Sequence, residues 1–173
     1  MTLQVDIQEI RNTLQVSVGL PLRITRLAAD MRGFHFGTIT EDEKGSYGEY
    51  ALHVQCSWRL EGPNGIITGY QDLWEPKNEE DWDENWCYYK QENLQDAKIK
   101  EWMGGYDERT RSPINTGDRL FVELVHVFPS GDLFIRLSGG YNIVTFMNSS
   151  RDEAWRFFKP ESDEDHLVFP LEE

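Results

Sequence analysis

The sequence predicts an α+β fold, a mostly antiparallel β-sheet, curved or two-layered, with an N-terminal helix and one further helix packed against it. Three observations point there: alternating large and polar side chains from Tyr50 to Trp58, a succession of short strand signals beyond Arg119, and helical apolar stripes in residues 4–15 and 93–103. At 173 residues, with 39% hydrophobic and 13% aromatic content, the chain can bury most of its unfolded surface and is expected to form a single domain over 1–173.

Val5, Ile7, Ile10 and Leu14 recur at helical spacing, and Gly19-Leu20-Pro21 stops that helix. "LRITRLAA" and "MRGFHFGTI" read as two extended segments around Asp30, and "TEDEKGSYGE" as a polar loop. In "YALHVQCSWRL", Tyr50, Leu52, Val54, Cys56 and Trp58 share one face of a strand, while Ala51, His53, Gln55, Ser57 and Arg59 share the other. Pro63, Asn64 and Gly65 then make a turn, so residues 50–74 read as a hairpin. "NLQDAKIKEWM" predicts a helix capped by Asn93, with Leu94, Ala97, Ile99 and Trp102 as its apolar stripe and Gly104-Gly105 after its end. From Arg119, the runs "RLFVELVHVF", "DLFIRLS", "YNIVTFM", "AWRFF" and "HLVFP" describe an antiparallel meander. Gly139-Gly140 has the character of a two-residue hairpin loop rather than a phosphate cradle, because it leads into a strand and not into a helix N-terminus.

Charge and cysteine usage narrow the function classes. A formal net charge of −14 repels phosphate backbones and anionic lipid, so nucleic acid and membrane surfaces are poor partners. No apolar run approaches the roughly 18 residues of a membrane span. Cys56 and Cys87 in a chain whose start lacks signal-peptide character are expected as free thiols in a soluble cytoplasmic protein.

The most unusual segment is the acidic aromatic connector at 75–93, where seven carboxylates and two lysines surround Trp82, Trp86, Tyr88 and Tyr89. If helical, it aligns Trp82, Trp86 and Tyr89 on one face able to dock on a groove with a basic rim. The alternative, favoured because exposed apolar patches are usually avoided, is that these rings cap one end of the sheet. Asp81, Asp83, Asn85 and Glu92 occupy positions 1, 3, 5 and 12 of a calcium-loop template, but Trp86 stands where that loop requires glycine.

Other clusters read as structural. His53 and Cys56, three apart on a strand, face opposite ways and cannot share an ion or a proton, while His35, His126 and His166 are scattered. Two histidines brought together by the fold would make a shared ion or proton possible again. Ser149 and Ser150 lie in a turn, not in a nucleophile elbow, and the pairs Asp107-Glu108 and Asp152-Glu153 are two among many acids. Trp58-Arg59 and Trp155-Arg156 each put a ring and a guanidinium on opposite faces of a strand, and such an arginine is a candidate for binding an anionic ligand or, as the excess of acid favours, for satisfying neighbouring carboxylates. The sequence assigns no catalytic residue, cofactor or metal.

The segments "EYALHVQCSWRL", "LSGGYNIVTF" and "EAWRFF" resemble an uncharacterised family of small bacterial proteins with strand-terminal Trp-Arg and a Gly-Gly-Tyr hairpin. That resemblance implies the fold and no activity. Two functions of different class remain: a non-enzymatic, immunity-like module whose acidic surface binds a basic protein, and a small-molecule binder or enzyme with a pocket at the sheet using Arg136, Arg156 or a histidine.

Overall fold

Segments rich in aromatic and β-branched residues pair into antiparallel sheets in the computed structural model, which describes residues 7–164 and 166–170. In chain order the elements are α1 (Ile7–Leu14), β1 (Leu22–Ala28), β2 (Met31–Phe36), β3 (Thr40–Glu41), β4 (Ser46–Tyr47), β5 (Tyr50–Val54), β6 (Ser57–Gly62) and β7 (Gly65–Gly69). They continue with α2 (Leu94–Met103), β8 (Gly105–Asp107), β9 (Ser112–Ile114), β10 (Val122–Val127), β11 (Leu133–Leu137), β12 (Tyr141–Phe146), β13 (Trp155–Phe158) and β14 (Leu167–Phe169). One sheet has seven strands in the order β14-β13-β5-β2-β1-β9-β8, a second has five in the order β10-β11-β12-β6-β7, and β3 and β4 pair alone. Among the described residues this is the α+β architecture, with two α-helices and antiparallel sheets.

One apolar cluster joins the two sheets: Phe34, Leu52, Val54 and Trp155 from the first pack with Trp58, Leu60, Ile135 and Ile143 from the second. The helices close its ends. Ile10 and Leu14 of α1 enter the cluster, and Arg11 donates to the carbonyl of Val127 at 2.7 Å. Helix α2 begins where the Asn93 side chain accepts from the Asp96 amide at 2.8 Å and ends at Gly104, whose φ of 83° is the left-handed cap that glycine adopts freely. Its Ile99, Trp102 and Met103 are buried in the same cluster. Behind them Arg32 of β2, 1% exposed, reaches Asp96 at 2.6 Å and Gln95 at 3.0 Å, tying sheet to helix.

Several sequence expectations are corrected. The segment 50–58 is not one strand: β5 pairs with β2 and β13 in the first sheet, β6 with β12 and β7 in the second. The chain turns the corner at Gln55 and Cys56, whose amides both donate to the carbonyl of Ala154. The hairpin is therefore β6–β7, not residues 50–74. The meander covers only β10–β12, since β13 and β14 cross back to the first sheet. Leu137 pairs with Tyr141, so the glycine hairpin loop has three residues, with φ of 90° and 82° at Gly139 and Gly140. Positions 4–6 of the N-terminal helix expectation lie outside the described residues. Among the described residues, no helix is long and apolar enough to cross a membrane.

Candidate functional site

The connector at 75–93 is pinned at both ends and irregular between them. Glu75 accepts from the Leu94 amide at 2.8 Å, Pro76 bridges to Asn93, and Lys77 pairs with Glu92 at 3.0 Å. Between these anchors it makes a short 3-10 turn at Glu79–Asp81 and no α-helix, so the helical alignment of Trp82, Trp86 and Tyr89 is not realised. Asp83 caps the Asn85 amide at 2.7 Å, a local turn that competes with helix formation. Trp82, 59% exposed, and Tyr89, 70% exposed, do not cap the sheet either, whereas Trp86 and Tyr88 are half-buried. The ring that ties the segment down is Tyr88, edge-on to Trp74 at 4.8 Å. Trp82 and Trp86 instead meet each other, their centroids 5.5 Å apart. With Glu80, Asp81, Asp83 and the Lys77–Glu92 ion pair they line a cleft of about 520 Å³.

The remaining sequence candidates separate. Arg156 makes a bidentate pair with Glu153, both contacts at 2.6 Å, and the pairing holds its guanidinium above and the Glu153 carboxyl below their usual ranges. It satisfies a carboxylate. Arg136 alternates with the core residues Ile135 and Leu137 and stands exposed on the outer face of the five-stranded sheet, its guanidinium 5.7 Å from the Phe134 ring. Neither arginine faces a space between the sheet layers, which the apolar cluster fills. Ser149 accepts from the amides of Arg151 and Asp152, as a turn serine does, and Asp107 accepts from the Arg109 amide and the Thr110 hydroxyl. Cys56 faces the core, where burial pushes its thiol up to about 11, too high for a nucleophile near neutrality. Among the described residues no group of three or more His, Cys, Asp or Glu is placed to hold a metal ion.

The register of the seven-stranded sheet gathers two of the histidines. Arg26 of β1 lies opposite Gly33 of β2, Gly33 opposite His53 of β5, and His53 opposite Arg156 of β13. Residues opposite one another share a face, so Arg26, Gly33 and His53 form a row on the face away from the core. His35, two residues along β2 from Gly33, joins that face, and its ring lies 6.1 Å from that of His53. Gly33 lets the His53 ring approach closely: a Cβ at this position would stand 3.1 Å from His53 Cδ2, so the ring would have to shift by a few tenths of an ångström. Tyr47 of β4 and Phe158 of β13 complete a recess of about 240 Å³ over the row.

Both imidazoles are held neutral. Burial, with Arg26 and the other ring adding to it, brings His35 down to about 3, while burial and Arg156 bring His53 to about 4. The His35 Nδ1 accepts from the Gly48 amide at 3.2 Å, which leaves the proton on Nε2. For His35 the folded value lies below the ordinary 6.5, so as pH falls through 6.5 the unfolded chain binds the proton that the folded one refuses, and stability falls. A slope of up to about 1.4 kcal/mol per pH unit from this group is expected between pH 6.5 and 4. His35→Asn keeps an acceptor for Gly48 and removes the titration. Urea unfolding across this pH range checks the point: the variant should show the shallower slope, and parallel curves would refute the assignment.

Sequence reasoning did not foresee the grouping of Arg26, Gly33, His35 and His53, because register between strands brings them together and no local motif marks it. No family model, curated protein or solved structure matches the chain.

Proposed function

We propose that the protein is a non-enzymatic binding module whose acidic aromatic connector docks a basic protein, in the manner of an immunity protein that covers the toxin it neutralises. The observation that carries this reading is the cleft in which Trp82 and Trp86 stand among Glu80, Asp81, Asp83 and Glu92. An indole face attracts a lysine or arginine cation, and flanking carboxylates strengthen that attraction. Exposed tryptophan is costly to leave in water and is enriched where binding energy concentrates. The charge of −14 would hasten encounter with a basic partner and repel acidic ones. Cys56 and Cys87 are both unpaired, which supports a reducing, cytoplasmic compartment, and the small bacterial proteins that the Trp-Arg and Gly-Gly-Tyr segments resemble fit the same setting.

The test compares the wild type with Trp82→Ala/Tyr89→Ala as bait in bacterial lysate across a salt series. The expected result is a basic protein released as salt rises. The double variant should keep its melting temperature while losing about 2 kcal/mol, roughly 30-fold in Kd, for that protein. A captured protein that is acidic, indifferent to salt, or held equally by the variant would overturn the reading.

A further inference from the structure

The recess on the outer face of the seven-stranded sheet is a built site that the docking reading leaves unused, and none of its lining residues belongs to the connector. Its volume of about 240 Å³ lies just under the range of roughly 300–1,000 Å³ typical for drug-sized ligands, so its occupant is small. The walls are chiefly apolar, with Ala28, Met31, Phe158 and Pro160 among the lining residues, and the polar groups are few.

Those polar groups select the ligand. Arg26 lines the recess while its Nη2 donates to the Ser46 carbonyl and its Nε to the Ser112 hydroxyl at 3.4 Å. Its Nη1 makes no hydrogen bond among the described residues. The ring of Tyr47 lies 5.4 Å beneath the guanidinium and fixes its plane. His35, with Nδ1 occupied by Gly48, has Nε2–H as a second donor, and His53 makes no hydrogen bond among the described residues. His53 is instead held by its ring, edge-on to Phe158 at 4.7 Å. Neutral imidazoles offer directed hydrogen bonds without a second positive charge, so the cationic end of the recess is Arg26. Glu161 stands exposed at the mouth, where water screens its charge.

We propose that this recess binds a small planar carboxylate, with its ring between Met31 and Phe158, its anionic end on Arg26 and its edge hydrogen-bonded to His35 and His53. A cation is disfavoured by Arg26. A metal ion is disfavoured as well, since among the described residues no group of three or more His, Cys, Asp or Glu is placed to hold one. A neutral ring would leave the guanidinium donor unpaired, and that difference is what an experiment can read.

Benzoate and its neutral isostere benzamide serve as probes, titrated into the isotopically labelled protein at constant ionic strength and followed by NMR. The expected result is saturable shifts centred on Gly33, His35, His53 and Phe158, with benzoate bound about ten-fold more tightly than benzamide. Arg26→Gln should reduce benzoate binding by about ten-fold and leave benzamide unchanged, and Gly33→Val, which fills the space beside His53, should remove both. Should Arg26→Gln fail to fold, the benzoate–benzamide difference and Gly33→Val still decide. Absence of saturable shifts, equal binding of the two probes, shifts centred elsewhere, or binding that survives Gly33→Val would each overturn the proposal.

Discussion

Trp155→Ala is expected to cost about 4 kcal/mol of stability, the largest single effect among the substitutions considered. Trp155 is fully buried, stacked on Phe169 at 5.3 Å, and its Nε1 donates to the Gly131 carbonyl at 2.9 Å. Truncation empties a space the size of an indole at the seam where β13 joins the first sheet. It also strands a buried carbonyl, so the loss combines apolar transfer, cavity and an unmet acceptor. Trp155→Phe should recover most of the packing and leave the cost of the Gly131 carbonyl, about 1–3 kcal/mol. Chemical denaturation of the three proteins checks the order. If Trp155→Ala unfolds within 1 kcal/mol of the wild type, the packing described around β13 is wrong.

Asp96→Ala is expected to destabilise the protein by about 3 kcal/mol, the low end for a broken buried ion pair, because the Asp96 side chain itself remains 35% exposed. What it leaves behind is the more important term: Arg32, 1% exposed, keeps Gln95 as an acceptor but loses the compensating charge. Asp96 also accepts from Asn93 Nδ2 at 2.8 Å, so its removal loosens the first turn of α2. Arg32→Met/Asp96→Ala should be less destabilised than Asp96→Ala alone, since an apolar side chain needs no counter-charge in that position. A double variant less stable than the single one would show that the charge of Arg32 is not what makes the loss expensive. A double-mutant cycle by urea denaturation measures this coupling directly.

Helix α2 was legible because every signal for it is local: Asn93 caps it, Gly104 ends it in a left-handed conformation, and Ile99 and Trp102 lie on its buried side. Even there, buried Gln95 escaped notice, since its partner Arg32 lies 63 positions away. The corner at Gln55 and Cys56 left no trace for a physical reason. Leu52, Val54, Cys56, Trp58 and Leu60 all face one core shared by both sheets, so alternation continues through the bend as though the strand were straight. The connector misled in the opposite direction. Trp82 and Tyr89 have a burial preference that composition argues for and that the turn chemistry of Asp83 and the anchors at Glu75 and Lys77 deny them.

By itself the sequence determined the fold class, most strand and helix positions, the burial of Cys56 on the face away from His53, and the net charge of −14, because these follow from side-chain period, local capping and summed charge. Only the tertiary structure decided which strands neighbour one another, and with that the division into two sheets, the exposure of Trp82 over an acidic cleft and the meeting of Arg26, His35 and His53 above Gly33. Strand order and register are set by the packing of the whole core, so side chains far apart in sequence become neighbours through contacts that no short window of residues contains.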